Sequence, residues 1–233
     1  APMRGRTPFA RLLVFSVVLI GALMLPAKAL ASPFEAKIHV VPFNYTEGIV
    51  VECNGRFGIV DSGEDNSYPD GSDQRYPLRE GTIIGGGVED KVIPYLWKIG
   101  VRPGNLDFYI GTHPHSDHIG SASQIIQMFK PSRIYTPSYD DSYITDEDHL
   151  WDNQYVYDRL IEAAHEAEGE YGAQLIQTFT YLNRSFMLGG AFIQLYNTGT
   201  DYQTTGVFDA NCFSLGVKVT VGIHSTFLAG DIN

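Results

Sequence analysis

The feature that most constrains this chain is a short segment, Thr112 to Gly120, in which three histidines and one aspartate fall within six consecutive positions. The four side chains are those of His113, His115, Asp117 and His118. Imidazole nitrogens and carboxylate oxygens are donors that transition-metal ions prefer in proteins. A fold that uses this segment must hold the four donors close together, which calls for a rigid strand end followed by a tight turn.

The residues on either side predict how the segment is presented. Phe108 to Gly111 has the pattern of a buried strand, and Ile119 to Phe129 has helical periodicity. Side chains two positions apart point to the same side of an extended segment, so the first two histidines should act together. The turn that follows lets the Asp-His pair face a second ion. Two ions about 3.5 to 4 Å apart can activate water jointly, and we therefore expect a binuclear hydrolytic site.

Short β-rich runs and longer helical runs fill the rest of the chain. Asn54-Gly55 is a strong hairpin signal, and the polar stretch Ser62 to Gly87 is expected to be a long functional loop. The order of the elements predicts a mixed α/β (α+β) fold in which two sheets pack face to face with helices outside. Helices are also expected at 88–99 and 146–168, and strands at 38–43, 49–53, 57–60, 133–135, 173–178, 192–196, 213–221 and 226–229.

The N-terminal region has the order of a secretory signal peptide. Basic residues precede an apolar run from Leu12 to Leu25, and Ala29-Leu30-Ala31 supplies small residues for cleavage. The run is shorter than the roughly 20 residues that normally cross a bilayer; a retained anchor or a buried helix is the alternative. We expect residues 1–31 to be a signal peptide and 32–233 a hydrolase domain that is secreted or at the cell surface, with no membrane span after cleavage.

The charge of the chain limits its partners. The formal charge is −11, and removal of residues 1–31 takes away four basic residues and no acid, which gives −15. Such a surface repels polyanions, so no stable nucleic-acid partner is expected and neutral or cationic substrate groups are favoured; a role in solubility alone is the alternative. Cys53 and Cys212 lie in segments expected to be β-rich, where they are either disulfide-bonded or small core residues.

The H-x-H-x-D-H pattern resembles the metal-binding motif of metallo-β-lactamase fold hydrolases. The resemblance implies a four-layer αββα sandwich with a zinc-type site at one edge of the sheets. Asp61, which follows a predicted strand, matches the acidic residue that this family places below the metals, where it orients the ligands. The implied ligand set is His113 and His115 for the first ion, Asp117 and His118 for the second, and Asp231 as the bridge between them.

The same resemblance implies a cofactor and two catalytic residues. Two zinc ions are expected, with manganese or iron as alternatives because His/Asp sites accept several metals. Asp117 and Asp61 are the candidate catalytic residues, the first beside the second ion and the second as the support of the ligands. The family's further histidine-rich motif has no counterpart after Gly230-Asp231, since the sequence ends at Asn233. The domain is therefore expected to be incomplete at its C-terminus.

The remaining histidines receive weaker expectations. His149, His165 and His224 are the candidates for the additional histidine that β-lactamases carry between the motif and the bridging aspartate. His149 and His165 lie on or near a predicted helix and His224 in a predicted turn, so surface or capping roles are favoured for each. His39, on the first predicted strand, is interpreted as a packed or edge histidine.

Longer segments are similar to the catalytic module of the teichoic-acid phosphorylcholine esterases. That similarity implies a phosphodiesterase that releases phosphorylcholine from teichoic acid, or from a similar choline-bearing glycan or small phosphodiester. The Asn-x-x-Ser-Leu sequence at Asn211 to Leu215 is shared with competence-type nuclease domains, so a secreted nuclease is the rival within the enzyme class. The similar segments are DSGEDNSYPDGSDQRYPLREG, THPHSDHIGS, LWDNQYVYDRLIEAA and FIQLYNTGTDY.

Aromatic residues after the metal motif bear on the substrate. Aromatic faces hold a trimethylammonium group with on the order of 1 to 2 kcal/mol per favourable contact. Trp151 and Tyr155 are therefore candidate substrate-binding residues, with packing of the predicted helix as the alternative. The alternative to an enzyme is a binding protein: a metal-poor surface module that binds choline-decorated polymers.

Overall fold

Two β-sheets form the centre of the structure, which is a computed structural model that describes residues 35–41 and 46–232. Both sheets arise from short runs of β-branched and aromatic residues separated by glycine-rich or polar turns. The described residues belong to one compact unit, Phe34–Asn233. The predicted signal peptide and the predicted strand residues 42 and 43 lie outside the described residues.

The larger sheet has six strands in sequential order. The first three strands are antiparallel, and the last four are parallel to one another. Asn54 and Gly55 turn the second strand into the third with positive φ values of 51° and 73°, which confirms the predicted hairpin. The strands are β1 (Ala36–Val40), β2 (Gly48–Cys53), β3 (Arg56–Ser62), β4 (Leu106–Ile110), β5 (Arg133–Tyr135) and β6 (Gln174–Ile176).

The smaller sheet has four antiparallel strands in the spatial order β10-β9-β8-β7. Along β8, buried residues alternate with residues that are exposed or partly exposed, as a sheet with one face on a core requires. The strands are β7 (Ser185–Leu188), β8 (Ala191–Tyr196), β9 (Gly216–Val221) and β10 (His224–Leu228).

Five α-helices join and cover the strands of the described range. The first ends where the sequence predicts, because Gly100 adopts φ 100° and its backbone N–H caps the carbonyls of Leu96 and Trp97. Short 3₁₀ helices lie at Asp141–Tyr143, Glu147–His149 and Ala210–Phe213. The α-helices are α1 (Glu89–Ile99), α2 (Ser116–Ile119), α3 (Ala122–Phe129), α4 (Asn153–Tyr171) and α5 (Tyr202–Thr205).

The larger sheet has an apolar core on each of its two faces. One core joins it to the helices through residues such as Tyr109, Leu96 and Leu160, and the other joins the two sheets through residues such as Phe108 and Ile193. The two layers of apolar contact fix the relative placement of sheets and helices. The predicted mixed α/β fold, with two facing sheets and helices, is confirmed.

Several element boundaries differ from the prediction. The helix expected from residue 146 begins at Asn153, because Glu147–His149 forms a 3₁₀ turn and Trp151 adopts a left-handed φ of 38°. The strand β7 was not predicted, and β9 begins at Gly216 rather than at residue 213. His224 begins β10 and does not lie in a turn.

The cysteines also depart from expectation. Cys53 is buried at the end of β2, whereas Cys212 is exposed on the 3₁₀ helix Ala210–Phe213, and both are free thiols. The expectation that Cys212 lies in a β-rich segment was therefore wrong. Within the described residues, no helix is both long enough and apolar enough to cross a membrane.

Candidate metal centre

The candidate site lies where β3 and β4 end side by side. The two strands are parallel, with Val60 paired to Ile110, so the residues that follow them reach the same sheet edge. Asp61 has a left-handed φ of 56°, a conformation that costs a non-glycine residue on the order of 1 kcal/mol. Its buried carboxylate accepts hydrogen bonds from the backbone N–H of Thr112 at 2.8 Å and from the Thr112 hydroxyl at 2.7 Å. These bonds hold the strained residue in place.

The Asp61 carboxylate also determines the orientation of His118. Nδ1 of His118 lies 2.8 Å from Asp61 Oδ2, an oxygen that already accepts the Thr112 hydroxyl, so Nδ1 is the donor and carries the proton. The opposite nitrogen, Nε2, lies 3.5 Å from Asp231 Oδ1 and 3.9 Å from Asp117 Oδ2. A carboxylate behind a histidine is the usual support of a metal ligand. The structure therefore places Asp61 in the predicted orienting position.

The tautomer of His113 follows from the same network. The Thr112 hydroxyl donates its single hydrogen bond to Asp61, so Thr112 Oγ1, which lies 3.0 Å from His113 Nδ1, accepts a hydrogen bond from the N–H of that nitrogen. Nε2 of His113 is then a free lone pair, and it lies 3.0 Å from His115 Nδ1. The two nitrogens converge as a pair of ligands to one ion would.

Asp231 joins this group from the segment after β10. Its backbone N–H donates to Ser214 Oγ at 3.2 Å, which ties the segment to the start of β9. Donor atoms of His113, His118 and Asp231 all lie within 4.8 Å of one another. His113, His118 and Asp231 thus fit a metal ion, and the other two predicted ligands, His115 and Asp117, lie beside them.

The electrostatics of the cluster favour a bound cation. Burial, followed by the charges of the other histidines, lowers the pKa of His113 well below its usual range. Burial also lowers the pKa of His115 to about 4, so both imidazoles are neutral donors at pH 7. Burial opposes protonation of His118 as well, but the surrounding carboxylates, Asp61 first, raise its pKa to about 11. A metal ion would replace that proton as the compensating positive charge.

A pocket of about 300 Å³ opens beside the cluster. Its volume is at the lower end of the range of small-molecule sites. One carboxylate in its wall, that of Asp152, is 4% exposed, and its Oδ2 has no hydrogen-bond partner among the described residues. The lining residues are Gly81, Ile83, His115, Ser116, Asp117, Trp151, Asp152, Asn153, Asn211 and Asp231.

Trp151, one of the two predicted substrate-binding residues, forms part of this wall. Its ring makes edge contacts with those of His115 and His149, at centroid distances of 4.9 and 5.2 Å. The long loop 62–87 covers it, since a Cβ at Gly81 would lie 2.7 Å from the indole Nε1. The indole is therefore fixed between the metal cluster and the loop.

Tyr155, the other predicted substrate-binding residue, lies apart from this pocket. It is on α4, where the Arg159 guanidinium lies 5.4 Å from its ring centroid and the Tyr76 ring contacts its edge at 5.5 Å. It also packs against the core between the larger sheet and the helices. The structure thus brings Trp151, but not Tyr155, to the metal cluster.

A second layer of buried acids supports the site, and it was not predicted. Glu64, 1% exposed, accepts the Ser116 hydroxyl at 2.8 Å and the Asp65 N–H at 3.1 Å. Burial raises the pKa of Glu64 to about 8 and that of Asp152 to about 6. A signal was available in Asp61-Ser62-Gly63-Glu64-Asp65, an acid-rich run directly after a strand. No local signal pointed to Asp152.

The other histidines divide into distant and near ones. His165 is exposed and lies 2.9 Å from Glu168, His224 is exposed on β10, and His39 lies between Tyr95 and Glu52. His149 is different, because its ring packs against Trp151 and its Nε2 lies 3.9 Å from Asp209 Oδ2. A surface or capping role was expected for His149, and the structure adds a contact with Trp151 in the wall of the pocket.

Solved structures with a similar fold are distant in sequence. A metallo-beta-lactamase with a HARLDQ motif from Cronobacter sakazakii is 12% identical, with TM-score 0.44, 79% of this chain covered and 55% of that one. A possible metal-dependent hydrolase from Veillonella parvula is 13% identical, with TM-score 0.39, 85% of this chain covered and 63% of that one. The metallo-beta-lactamase fold protein YhfI from Bacillus subtilis is 15% identical, with TM-score 0.44, 84% of this chain covered and 61% of that one. The chain thus spans between half and two thirds of their length.

Among curated proteins, none matches this chain. The model of the metallo-beta-lactamase superfamily matches residues 49–226. That range is most of the chain and contains the whole of the His-x-His-x-Asp-His segment, together with Asp61 that supports it. The chain therefore belongs to the metallo-beta-lactamase superfamily, whose members are metal-dependent hydrolases.

Proposed function

We propose that this hydrolase is an exported phosphodiesterase that releases phosphorylcholine from teichoic acid, or from a similar choline-bearing glycan or small phosphodiester. One observation carries the proposal: a single pocket is lined by metal-cluster residues, an aromatic ring and a buried carboxylate. The metal cluster would act on the phosphodiester, and the aromatic ring and the carboxylate would hold a cationic head group. The signal-peptide order of residues 1–31 supports export to the medium or the cell surface.

The cationic head is the more specific part of the proposal. A quaternary ammonium has no N–H to donate, so it is recognised by aromatic faces and by nearby negative charge. Trp151 supplies the ring, and Asp152 supplies a carboxylate with one oxygen free of hydrogen bonds among the described residues. A neutral head group would leave that buried charge uncompensated, which disfavours choline-free diesters.

The phosphodiester would lie beside His115, Asp117 and Asp231, which line the same pocket. Two divalent ions, zinc or in its place manganese or iron, would supply activation of water and neutralisation of the phosphoryl charge. The chain's own residues prepare that site. Asp61 holds His118 in the tautomer that faces the ions, and Thr112 does the same for His113.

The proposal is tested with p-nitrophenyl-phosphorylcholine and bis-p-nitrophenyl phosphate as substrates for the full chain loaded with Zn²⁺ or Mn²⁺. We expect metal-dependent turnover, a clear preference for the choline ester, and loss of activity in His115→Ala. His165→Ala, which changes an exposed histidine on α4, is the matched control and should be active. Replacement of Trp151 by alanine should raise KM for the choline ester alone, by roughly tenfold for each 1.4 kcal/mol lost.

Other outcomes would replace the proposal. Hydrolysis of single-stranded DNA without turnover of the choline ester would favour the competence-type nuclease. Choline binding by a protein that takes up no metal would favour the surface binding module. Equal turnover of both diesters, unchanged in Trp151→Ala, would exclude the cationic-head pocket.

A further inference from the structure

We propose that Asp209 positions His115 for metal binding by accepting a hydrogen bond from its Nε2–H. The inference rests on the proposed metal centre but not on the proposed substrate. Asp209 Oδ1 lies 3.5 Å from His115 Nε2. That nitrogen is buried and has no hydrogen-bond partner among the described residues. A buried donor without an acceptor costs about 1–3 kcal/mol, so a small closing movement towards the carboxylate is favourable.

The need for this acceptor follows from the neighbouring ligand. Thr112 holds the proton of His113 on Nδ1, which leaves Nε2 of His113 as a lone pair 3.0 Å from His115 Nδ1. For both nitrogens to bind one ion, His115 must carry its proton on Nε2 instead. A carboxylate beside Nε2 stabilises that tautomer.

Asp209 is held in place for this task. It precedes the 3₁₀ helix Ala210–Phe213, and its Oδ1 accepts the backbone N–H of Asn211 at 2.8 Å. Its side chain is 12% exposed. Asp209 then completes a pattern in which each histidine of the cluster has an acceptor on the nitrogen that faces away from the ions. The pairs are His113 with Thr112, His115 with Asp209, and His118 with Asp61.

His149 lies beside the other oxygen of Asp209. Its Nε2 lies 3.9 Å from Asp209 Oδ2, and its Nδ1 lies 3.2 Å from Asp146 Oδ2. The ring also packs against Trp151 and Phe208, with centroids at 5.2 and 4.7 Å. His149 thus lies between Trp151, in the wall of the pocket, and Asp209, the proposed partner of His115.

The test is a double-mutant cycle on metal binding, measured by titration with Zn²⁺ and by the ligand-field spectrum of bound Co²⁺. Asp209→Asn keeps an oxygen to cap Asn211 and removes the negative charge. We expect it to weaken the affinity of one ion by about 10- to 100-fold and to alter the Co²⁺ spectrum. In the His115→Ala background the same substitution should have no further effect, because Asp209 acts through His115.

The control is Asp201→Asn, at an exposed aspartate directly before α5, which should bind metal as the unmodified chain does. Affinity within twofold of the unmodified chain in Asp209→Asn would overturn the inference. An equal loss in the presence and absence of His115 would also overturn it, since Asp209 would then act independently. No substrate is used, so a failed choline-ester assay leaves this test intact.

Discussion

At the scale of single residues, the site depends on buried carboxylates with opposite tasks. Asp61 makes three hydrogen-bond contacts, two with Thr112 and one with His118, and it tolerates a left-handed backbone that asparagine and aspartate adopt more readily than other non-glycine residues. Glu64 is buried beside Ser116 and favours the protonated form. Asp61 therefore orients a histidine of the cluster, whereas Glu64 holds Ser116, which lines the pocket.

The state of Glu64 predicts how stability depends on pH. Burial raises its pKa from the ordinary 4.5 to about 8, so between these values the folded chain binds a proton that the unfolded chain has lost. The contribution of Glu64 to stability must then fall as pH rises from 4.5 to 8. Glu64→Gln removes this proton and should lose less free energy of unfolding between pH 5 and pH 8, in urea titrations with a chelator present. Glu162→Gln, at an exposed position on α4, is the control; identical pH slopes for Glu64→Gln and the unmodified chain would contradict the prediction.

At the scale of elements, strand ends and turns carry the site, and these are also what the sequence predicted best. The His-x-His-x-Asp-His segment, the Asn54-Gly55 hairpin and the Gly100 helix stop are local patterns with local causes. Asp209 and Asp152 were not predicted, because only the tertiary fold brings them to the cluster. The start of α4 was misplaced because the left-handed φ of Trp151 has no signature in residue type.

The long loop over Trp151 gives a prediction at this scale. Gly81 has φ 86°, and an added Cβ would lie 2.7 Å from the indole Nε1, so Gly81→Ala should displace the ring. The chain has two tryptophans, and Trp97→Phe leaves Trp151 as the only one, so that selective excitation of tryptophan isolates its emission. In that background Gly81→Ala should shift the emission and raise KM for the choline ester by about tenfold, a loss of about 1.4 kcal/mol.

The matched control for the loop is Gly85→Ala. Gly85 has a similar φ of 72°, but an added Cβ would meet no atom within 4 Å. Gly85→Ala therefore introduces the same backbone strain as Gly81→Ala but no steric contact with the indole. An equal effect of both substitutions would assign the result to strain in the loop rather than to the position of the indole.

At the scale of the whole molecule, the core between the two sheets depends on one close approach within the larger sheet, between the paired residues Gly58 and Phe108. A Cβ at Gly58 on β3 would lie 2.0 Å from the Phe108 ring, which is buried between the sheets. Gly58→Ala should therefore lower the free energy of unfolding by about 1–3 kcal/mol or more in urea titrations. Gly48→Ala on β2 adds a Cβ at an ordinary 3.8 Å and should cost less. A smaller loss for Gly58→Ala than for Gly48→Ala would contradict the packing described.

The position of Asp231 has a consequence for the unfolded chain. His118 and Asp231 are more than a hundred residues apart, yet their donor atoms lie within 4.8 Å. An ion held by both would close a loop of that length, as a disulfide does, and chain-entropy arguments put such a closure on the order of 4 kcal/mol. With both cysteines free, the metal would be the cross-link of this fold, and chelation would loosen the segment after β10 as well as stop catalysis.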